Sequence, residues 1–248
     1  MAVTMIRDGR WGGYCTGGDP GTWCPRLRSW FVEKHQIRSV LDVGCGEGHS
    51  TRFFRELGCE VLGVDGSPEA LRNTVVPGSV ELHDFCQGAF PARRRFDLVW
   101  TCEFLEHVEE EFLPHVVATL GLADKFILAT HAFPKQKGHH HVNCQPSRYW
   151  ISVLEQAGYG CSLSATLAAR RATFADHRRV NHFVRSGLVL EKLPADVPPS
   201  ALSFEELRRA GQHPSFSARA KGALLYRHFR AVKRWKGVFP TGPKSEAA

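Results

Sequence analysis

The sequence lacks several features that would place it in other protein classes. No apolar run among its 248 residues approaches the roughly 20 residues that a membrane helix needs. The first residues have no apolar stretch of the kind found in secretory signals. None of the eight cysteines forms a C-x-x-C pair. We therefore expect no membrane span, no cysteine zinc site, and a cytoplasmic location with reduced thiols.

An excess of positive charge is missing from most of the chain. The formal net charge is +7, but residues 213–248 hold eight basic side chains and one acid, which together account for the whole excess. The rest of the chain is neutral on balance, unlike a domain built to grip a long polyanion. Within residues 220–236, apolar positions recur at helical spacing between the basic ones. This pattern predicts a basic helix that docks on the core or, alternatively, binds phosphate, nucleic acid or an acidic partner.

What the sequence does have is a regular alternation of strand and helix patterns. Short apolar segments predict strands at 39–44, 60–65, 79–84, 96–102, 125–130, 161–167 and 187–193. Helical patterns fall at 27–34, 49–57, 109–120 and 146–157, with Pro114 expected to disturb the third. The alternation predicts an α/β fold, in which a parallel sheet is covered by helices on both faces. Ligands of such sheets bind at the carboxyl ends of the strands, where the strand order reverses.

Glycines follow the first predicted strand directly, in the run LDVGCGEG at 41–48. Glycine is needed where backbone approaches a ligand closely or takes a positive φ. A glycine loop acquires meaning only in a strand–loop–helix context, which is present here. The loop is therefore a candidate cradle for a cofactor.

Acidic residues end the next two strands. Asp65 closes the second strand, and a carboxylate there can accept hydrogen bonds from both hydroxyls of a ribose. Asp84 and Phe85 close the third, where an acid can pair with an adenine amino group and an aromatic ring can cover the base. Three successive strand ends thus supply a backbone cradle, a ribose acceptor and a base clamp.

On these motifs, residues 39–158 resemble the class I S-adenosylmethionine (SAM)-dependent methyltransferases, in particular those of the ubiquinone pathway. The resemblance implies a Rossmann-like, doubly wound, seven-stranded sheet in a three-layer α/β/α arrangement, with SAM as cofactor. It implies cofactor binding by Asp42, Gly44, Cys45, Gly46, Gly48, Asp65, Gly66, Asp84, Phe85 and Glu103. A nicotinamide dinucleotide ranks lower, because its fingerprint is G-x-G-x-x-G and the spacing here is G-x-G-x-G.

The resemblance, together with the composition of the two ends, predicts three parts of the chain. Residues 1–38 form an N-terminal arm and helix, whose glycines and aromatic side chains suit a lid over the cofactor. Residues 39–195 form the SAM-binding methyltransferase domain. Residues 196–248 form a basic, helical C-terminal extension.

The acceptor side begins where the fourth strand ends, in the run CEFLEHV at 102–108. Enzymes that methylate exocyclic amines of DNA bases carry a D/N-P-P-aromatic motif at this point, and cytosine-C5 enzymes carry a prolyl-cysteine. Both motifs are absent. Methylation of DNA bases is therefore disfavoured.

The E-x-x-E-H motif in this run has two interpretations. In the first, Glu103 faces SAM while Glu106 and His107 cap the following helix. In the second, Glu103, Glu106 and His107 share one face of a helical turn and bind a divalent metal together with His141 from the loop GHHHVN. The second interpretation resembles the plant small-RNA terminal 2′-O-methyltransferases. Hard cations accept such mixed oxygen and nitrogen ligands only under geometric constraint.

Three histidines are candidates for acid–base catalysis, because neutral imidazole suits a general base near pH 7. His131 follows the fifth strand, His141 belongs to the next loop, and His107 belongs to the E-x-x-E-H motif. A histidine bonded to backbone is the alternative for each of them.

The sequence thus predicts an enzyme that transfers a methyl group from SAM to an oxygen or nitrogen nucleophile of a small-molecule or glycan acceptor. One alternative is a metal-assisted RNA methyltransferase of the 2′-O type, with nucleic acid bound through the basic tail. The other is a SAM-binding regulator without catalytic activity.

Overall fold

The structure is a computed structural model that describes residues 4–6, 14–174 and 181–194. Near the N-terminus, strands β1 (Thr4–Ile6) and β2 (Tyr14–Thr16) pair in antiparallel fashion. Helix α1 (Pro25–His35) follows, with proline in its first turn, where the missing N–H costs nothing. The proposed C-terminal extension and its basic helix lie outside the described residues.

A seven-stranded sheet forms the centre of the described region. Its strands are β3 (Ser39–Val43), β4 (Glu60–Asp65), β5 (Val80–Leu82), β6 (Phe96–Thr101), β7 (Ala123–Ala129), β8 (Tyr159–Cys161) and β9 (Leu188–Lys192). Their order across the sheet is β5-β4-β3-β6-β7-β9-β8. The doubly wound, seven-stranded α/β prediction is confirmed. The expectation of a wholly parallel sheet is wrong, because β9 runs antiparallel to both of its neighbours.

Helices cover the sheet at the connections between strands. They are α2 (His49–Glu56), α3 (Pro68–Arg72), α4 (Leu113–Leu120), α5 (Ser147–Gln156), α6 (Leu163–Phe174) and α7 (His182–Ser186). Pro114 does not kink α4, because the helix begins at Leu113 and the proline falls in the first turn. A separate 3₁₀ turn, Glu110–Phe112, covers the earlier part of the predicted helix.

The strand predicted at 161–167 is wrong. The strand there ends at Cys161, and α6 begins at Leu163. Alternating apolar residues had suggested a strand, but the buried positions of α6, namely Ala165, Thr166, Ala169 and Thr173, recur at helical spacing. Tertiary packing of this small-residue face against the sheet and α1 outweighs the local alternation.

Aromatic side chains fill the core beneath the carboxyl ends of β3 and β6. Phe31 of α1, Phe54 of α2, Trp100 of β6 and Phe183 of α7 are buried. The rings of Trp100 and Phe183 stack at 5.7 Å. Each buried aromatic side chain stabilises the fold by about 2–3 kcal/mol. This packing fixes α7 against β6. Within the described ranges, no helix combines the length and the apolar character needed to cross a membrane.

Candidate active site

A cavity of about 360 Å³ lies at the carboxyl ends of β3, β4 and β6. The strand order reverses between β3 and β6, so the cavity occupies the expected ligand position of a doubly wound sheet. Its wall includes the glycine loop, the end of β4, the turn after β6 and part of the loop after β7. Residues of the N-terminal segment, such as Cys15 and Asp19, complete it.

The glycine loop after β3 takes a conformation that side chains would obstruct. Gly44 has a φ of 74°, and a Cβ there would lie 2.4 Å from the ring of Phe104. The amides of Gly44 and Cys45 both donate to the carbonyl of Val64, at 2.9 and 3.2 Å, and so anchor the loop to β4. The backbone of this loop is therefore fixed in place and accessible from the cavity.

The Asp65 carboxylate is fixed by two backbone amides. One oxygen accepts from the Gly46 amide at 2.7 Å, and the other accepts from the Ser67 amide at 2.9 Å. Each carboxylate oxygen keeps a second lone pair for a further donor. Burial raises the pKa of Asp65, and the backbone hydrogen bonds oppose that rise. The residue lines the cavity, as does the neighbouring Gly66.

The opposite end of this half of the cavity is aromatic. Phe85 lines the wall, and its ring centroid lies 5.6 Å from that of Phe104. Asp84 instead turns its carboxylate to the amide of Cys86, at 2.8 Å, and is not part of the wall. The structure therefore brings Phe85, but not Asp84, to the wall of the cavity.

Two other predicted cofactor residues lie beneath the loop or at its end. Asp42 lines the floor of the cavity, where it accepts a hydrogen bond from the hydroxyl of Thr51 at 2.6 Å, and burial raises its pKa to about 6. Gly48 begins α2 and faces Val76 rather than the cavity. Asp42 thus supports the glycine loop from the floor of the cavity, and Gly48 connects the loop to α2.

The acceptor side is built by two segments that the backbone holds together. Glu106 and His107 lie in the 3₁₀ turn Leu105–His107. The amides of Val142 and Asn143 both donate to the carbonyl of Glu106, at 2.9 and 3.0 Å. This clamp brings one ligand atom each from Glu106, His107 and His141 within 4.8 Å of one another.

Both histidines of this cluster are oriented by backbone carbonyls. Nδ1 of His107 lies 3.1 Å from the carbonyl of His140, and Nδ1 of His141 lies 3.2 Å from that of Gln136. A carbonyl only accepts, so each Nδ1 carries a proton, and in the neutral form of either ring the lone pair then lies on Nε2. Metal-binding histidines are commonly oriented in this way.

Glu106 is a buried carboxyl group without a hydrogen-bond partner for either oxygen among the described residues. Burial and the neighbouring Glu103 carboxylate raise its pKa to about 8. A buried carboxylate in this state is costly unless a proton or a cation compensates it. The cluster therefore has the donor set and the unsatisfied oxygens that fit a divalent cation.

Glu103 is engaged elsewhere. It has a φ of 54°, and its Oε1 accepts from the hydroxyl of Thr130 at 2.9 Å. Its Oε2 lies 2.9 Å from Nδ1 of His182, whose Nε2 lies 3.1 Å from Oδ2 of Asp19. Glu103 thus falls outside the group of Glu106, His107 and His141, although its carboxylate still acts on that of Glu106. Its own hydrogen bonds join it instead to His182 and, through His182, to Asp19, two residues that sequence reasoning missed.

Those two residues gave little signal in the sequence. Asp19 belongs to an Asp-Pro-Gly turn, and the residues before β9 resist assignment from pattern alone. Asn181, which caps α7 by accepting from the Phe183 amide at 2.7 Å, was the available helix-start signal. The partners of His182 become visible only in the folded chain.

His131 lies away from the cavity wall. Its side chain is buried, its Nδ1 donates to the carbonyl of Ala132 at 3.3 Å, and its Nε2 accepts from the hydroxyl of Ser147 at 2.9 Å. Burial lowers its pKa to about 4. This neutral, fully bonded imidazole matches the structural interpretation better than the catalytic one.

Residues 41–119 match the protein family described as "Methyltransferase domain". This stretch contains the glycine loop, Asp65, Phe85 and the Glu103–His107 segment. The chain carries a class I SAM-dependent methyltransferase domain. SAM is the cofactor of domains of this class.

Curated relatives of the methyltransferase domain carry names of the same class. Tocopherol O-methyltransferase of Arabidopsis thaliana is 29% identical over 110 residues, covering 40% of this chain and 31% of that protein. The mitochondrial ubiquinone biosynthesis O-methyltransferase of Schizosaccharomyces pombe is 31% identical over 104 residues, covering 38% of each. The matched part thus spans only about a third of the length of these relatives.

Solved structures show the same fold at low sequence identity. DesVI of Streptomyces venezuelae superimposes with a TM-score of 0.51 at 12% identity, covering 68% of this chain and 93% of that one. The glycopeptide N-methyltransferase MtfA in complex with SAM gives a TM-score of 0.50 at 15% identity, covering 71% of this chain and 90% of that one. At such identities, the likeness supports the fold of the methyltransferase domain and nothing finer.

Proposed function

We propose that this protein transfers the methyl group of SAM to a hydroxyl oxygen of a small-molecule acceptor, glycans included. The observation that carries the proposal is the continuity of the cavity. One space is lined by Gly44 and Asp65 at one end and by His107 and His141 at the other. A donor on the glycine loop and an acceptor beside the histidines would therefore meet. Two relatives named as O-methyltransferases favour oxygen over nitrogen.

In this proposal, the cofactor half of the cavity binds SAM. The amides of the glycine loop face the methionine part, Asp65 accepts from the ribose hydroxyls, and Phe85 covers the adenine. The sulfonium is already activated, so the protein mainly aligns the acceptor oxygen with the bond that breaks.

A hydroxyl acceptor needs a base, and His107 and His141 offer one. Both rings line the cavity with their Nε2 lone pairs available, since each Nδ1 proton is donated to a carbonyl. Burial and the neighbouring His141 lower the pKa of His107 to about 4, so its ring is neutral at pH 7. While no cation occupies its Nε2, either ring can, when neutral, take the hydroxyl proton as the methyl group arrives.

We further propose that Glu106, His107 and His141 hold a divalent cation. Two imidazoles and one carboxylate are a donor set that favours transition metals such as Mn²⁺, Co²⁺ or Zn²⁺ over Mg²⁺. When bound, such an ion would lower the pKa of an acceptor hydroxyl. Glu103 is left out of this set because both of its oxygens are already paired.

The RNA and regulator alternatives stand differently. The nucleic-acid interpretation depends on the E-x-x-E-H motif, whose Glu106 and His107 belong to the cation site proposed above, and on the basic tail, whose residues lie outside the described part of the chain. The regulator interpretation is answered by turnover.

The test is S-adenosylhomocysteine (SAH) formation across a panel of phenols, sugars and single-stranded RNA, with and without a chelator. His107→Ala and His141→Ala should each reduce turnover about 10²–10⁴-fold while SAH affinity stays within threefold of wild type. His35→Ala, outside the cavity, is the matched control. Turnover that a chelator abolishes and Mn²⁺ restores supports the metal, and insensitivity to chelator leaves histidine as the base.

Two outcomes would overturn the proposal. SAM binding without SAH formation on any acceptor would favour the regulator. Turnover confined to RNA, with a steep salt dependence, would favour the nucleic-acid enzyme.

A further inference from the structure

The segment 15–23, which begins within β2, is fastened at three points around the cofactor half of the cavity. The amide of Gly17 donates to Oε2 of Glu47, in the glycine loop, at 2.9 Å. Asp19 pairs with His182 at 3.1 Å. The carbonyl of Trp23 accepts from the side-chain amide of Asn181 at 3.1 Å. Two of these three links come from α7 and its N-cap residue, Asn181.

His182 is the centre of this arrangement. Both of its ring nitrogens face carboxylate oxygens, Glu103 at 2.9 Å and Asp19 at 3.1 Å. An ionised carboxylate can only accept, so both nitrogens must donate and the ring must be an imidazolium. The hydrogen bonds to both carboxylates raise its pKa to about 10 despite burial. The three residues form a charge-assisted bridge from the arm to the turn after β6.

The ring of His182 also packs closely against Gly21. Asp19 accepts from the Gly21 amide at 2.7 Å, which bends the chain so that Gly21 packs against the imidazolium. A Cβ on Gly21 would lie 2.5 Å from Nε2 of His182. The contact is therefore built for a glycine at this position and for a ring held in this orientation.

We propose that His182 is a positioning residue that latches residues 15–23 over the bound cofactor and holds the Glu103 carboxylate in its place beside the methyl donor. The inference rests on the proposed use of this cavity for SAM. Cys15, Gly18, Asp19 and Thr22 line the cavity together with the glycine loop, so a cofactor on that loop would be roofed by this segment. Release of the cofactor then requires the Asp19–His182–Glu103 bridge to open.

Breaking the bridge should loosen the roof and speed cofactor release. Hydrogen bonds to charged groups are worth about 1.5–3 kcal/mol, so His182→Gln and Asp19→Asn should each weaken SAH binding about tenfold or more, mainly through faster dissociation. Gly21→Ala should act in the same direction without any change of charge, by displacing the ring. The double variant His182→Gln/Asp19→Asn should be little worse than either single one, because both remove the same bridge.

The experiment combines SAH dissociation by stopped flow with hydrogen–deuterium exchange of peptides covering 15–23. Exchange should rise in this segment in all three single variants and stay unchanged in β3 and β6. Asp124→Asn, which breaks a surface ion pair with Arg95, and His35→Gln are the matched controls. Because exchange needs no turnover, a roof that loosens with normal core exchange is distinguished from general unfolding.

Two results would overturn the latch. Unchanged exchange and SAH dissociation in His182→Gln would show that the bridge does not hold the segment. Additive effects of the two bridge substitutions would show that they act separately. Failure of the wild-type protein to bind SAH at all would instead refute the proposed function.

Discussion

Gly138 offers a way to disturb the Glu106–His107–His141 cluster without altering any of its members. A Cβ at Gly138 would lie 2.0 Å from Nε2 of His141, 2.2 Å from its Cε1 and 2.3 Å from its Cδ2. The φ of Gly138 is outside the left-handed region, so alanine is compatible with the backbone. Gly138→Ala must therefore push the imidazole away.

The size of the effect follows from the distances. Carbon and nitrogen atoms in ordinary contact are about 3.5–4 Å apart, so the ring must move by about 1.5 Å. A misplacement of 1 Å can cost about 10²-fold in rate. We expect turnover to fall about 10²-fold. Gly138 is exposed and lies outside the core, so the melting temperature should fall by no more than about 4 °C.

Measurements of metal binding and of cofactor binding distinguish displacement of His141 from damage to the cofactor half of the cavity. Calorimetry with Mn²⁺ should show affinity reduced about 10–100-fold, as is usual when a ligand's support is disturbed. SAH affinity should stay within threefold of wild type, because the cofactor half of the cavity is untouched. Gly121→Ala, at a φ of −60° at the end of α4, is the control. Full turnover in Gly138→Ala would refute the catalytic placement of His141.

Three further predictions concern the rest of the site. His131→Asn should leave turnover unchanged but flatten the pH dependence of the free energy of unfolding, measured by urea titration. A pKa of about 4 in the folded state against about 6.5 in the unfolded state means that His131 lowers the free energy of unfolding of the wild type by about 2 kcal/mol between pH 7.5 and 5, and an equal loss in the variant would contradict the assignment. Gly44→Ala should abolish SAH binding through Phe104, whereas Gly158→Ala, with a similar φ of 87° but open space, should bind normally by calorimetry. Asp65→Asn should weaken SAH binding at least tenfold, since an amide cannot accept from both Gly46 and Ser67, and unchanged binding would show that the ribose contacts lie elsewhere.

Most of the sheet could be predicted because its strands are short, apolar and punctuated. β4 falls at the predicted residues, and β3, β6 and β9 are within one residue at each end. The failure at 161–167 has a physical cause: Cys161, Leu163 and Ala165 alternate as in a strand, but the decision to form a helix depends on the surface that Ala165 and Ala169 meet. The reversed direction of β9 likewise depends on pairing partners, which pattern alone does not carry.

The residues of the site were likewise predictable only in part. Gly44 and Asp65 were predictable because consecutive strand ends in this kind of sheet converge on one edge. The cluster of Glu106, His107 and His141 was anticipated from motif and loop. The bridge through His182 was not, since it joins residues from opposite ends of the described chain. Nor could a sequence show that Asp84 faces its own turn or that His131 is buried.

The bridge also bears on the order in which the molecule is completed during synthesis. Asn181 and Trp23 are 158 residues apart in sequence, and closing so long a loop is an entropic cost that must be met before the contact returns any energy. Strands β3 to β7 can pair from the growing chain while α7 is still within the ribosome. A nascent chain would then have formed its glycine loop and positioned Asp65 well before residues 15–23 could be fastened to α7. Competence to retain the cofactor would be among the last properties that the protein acquires.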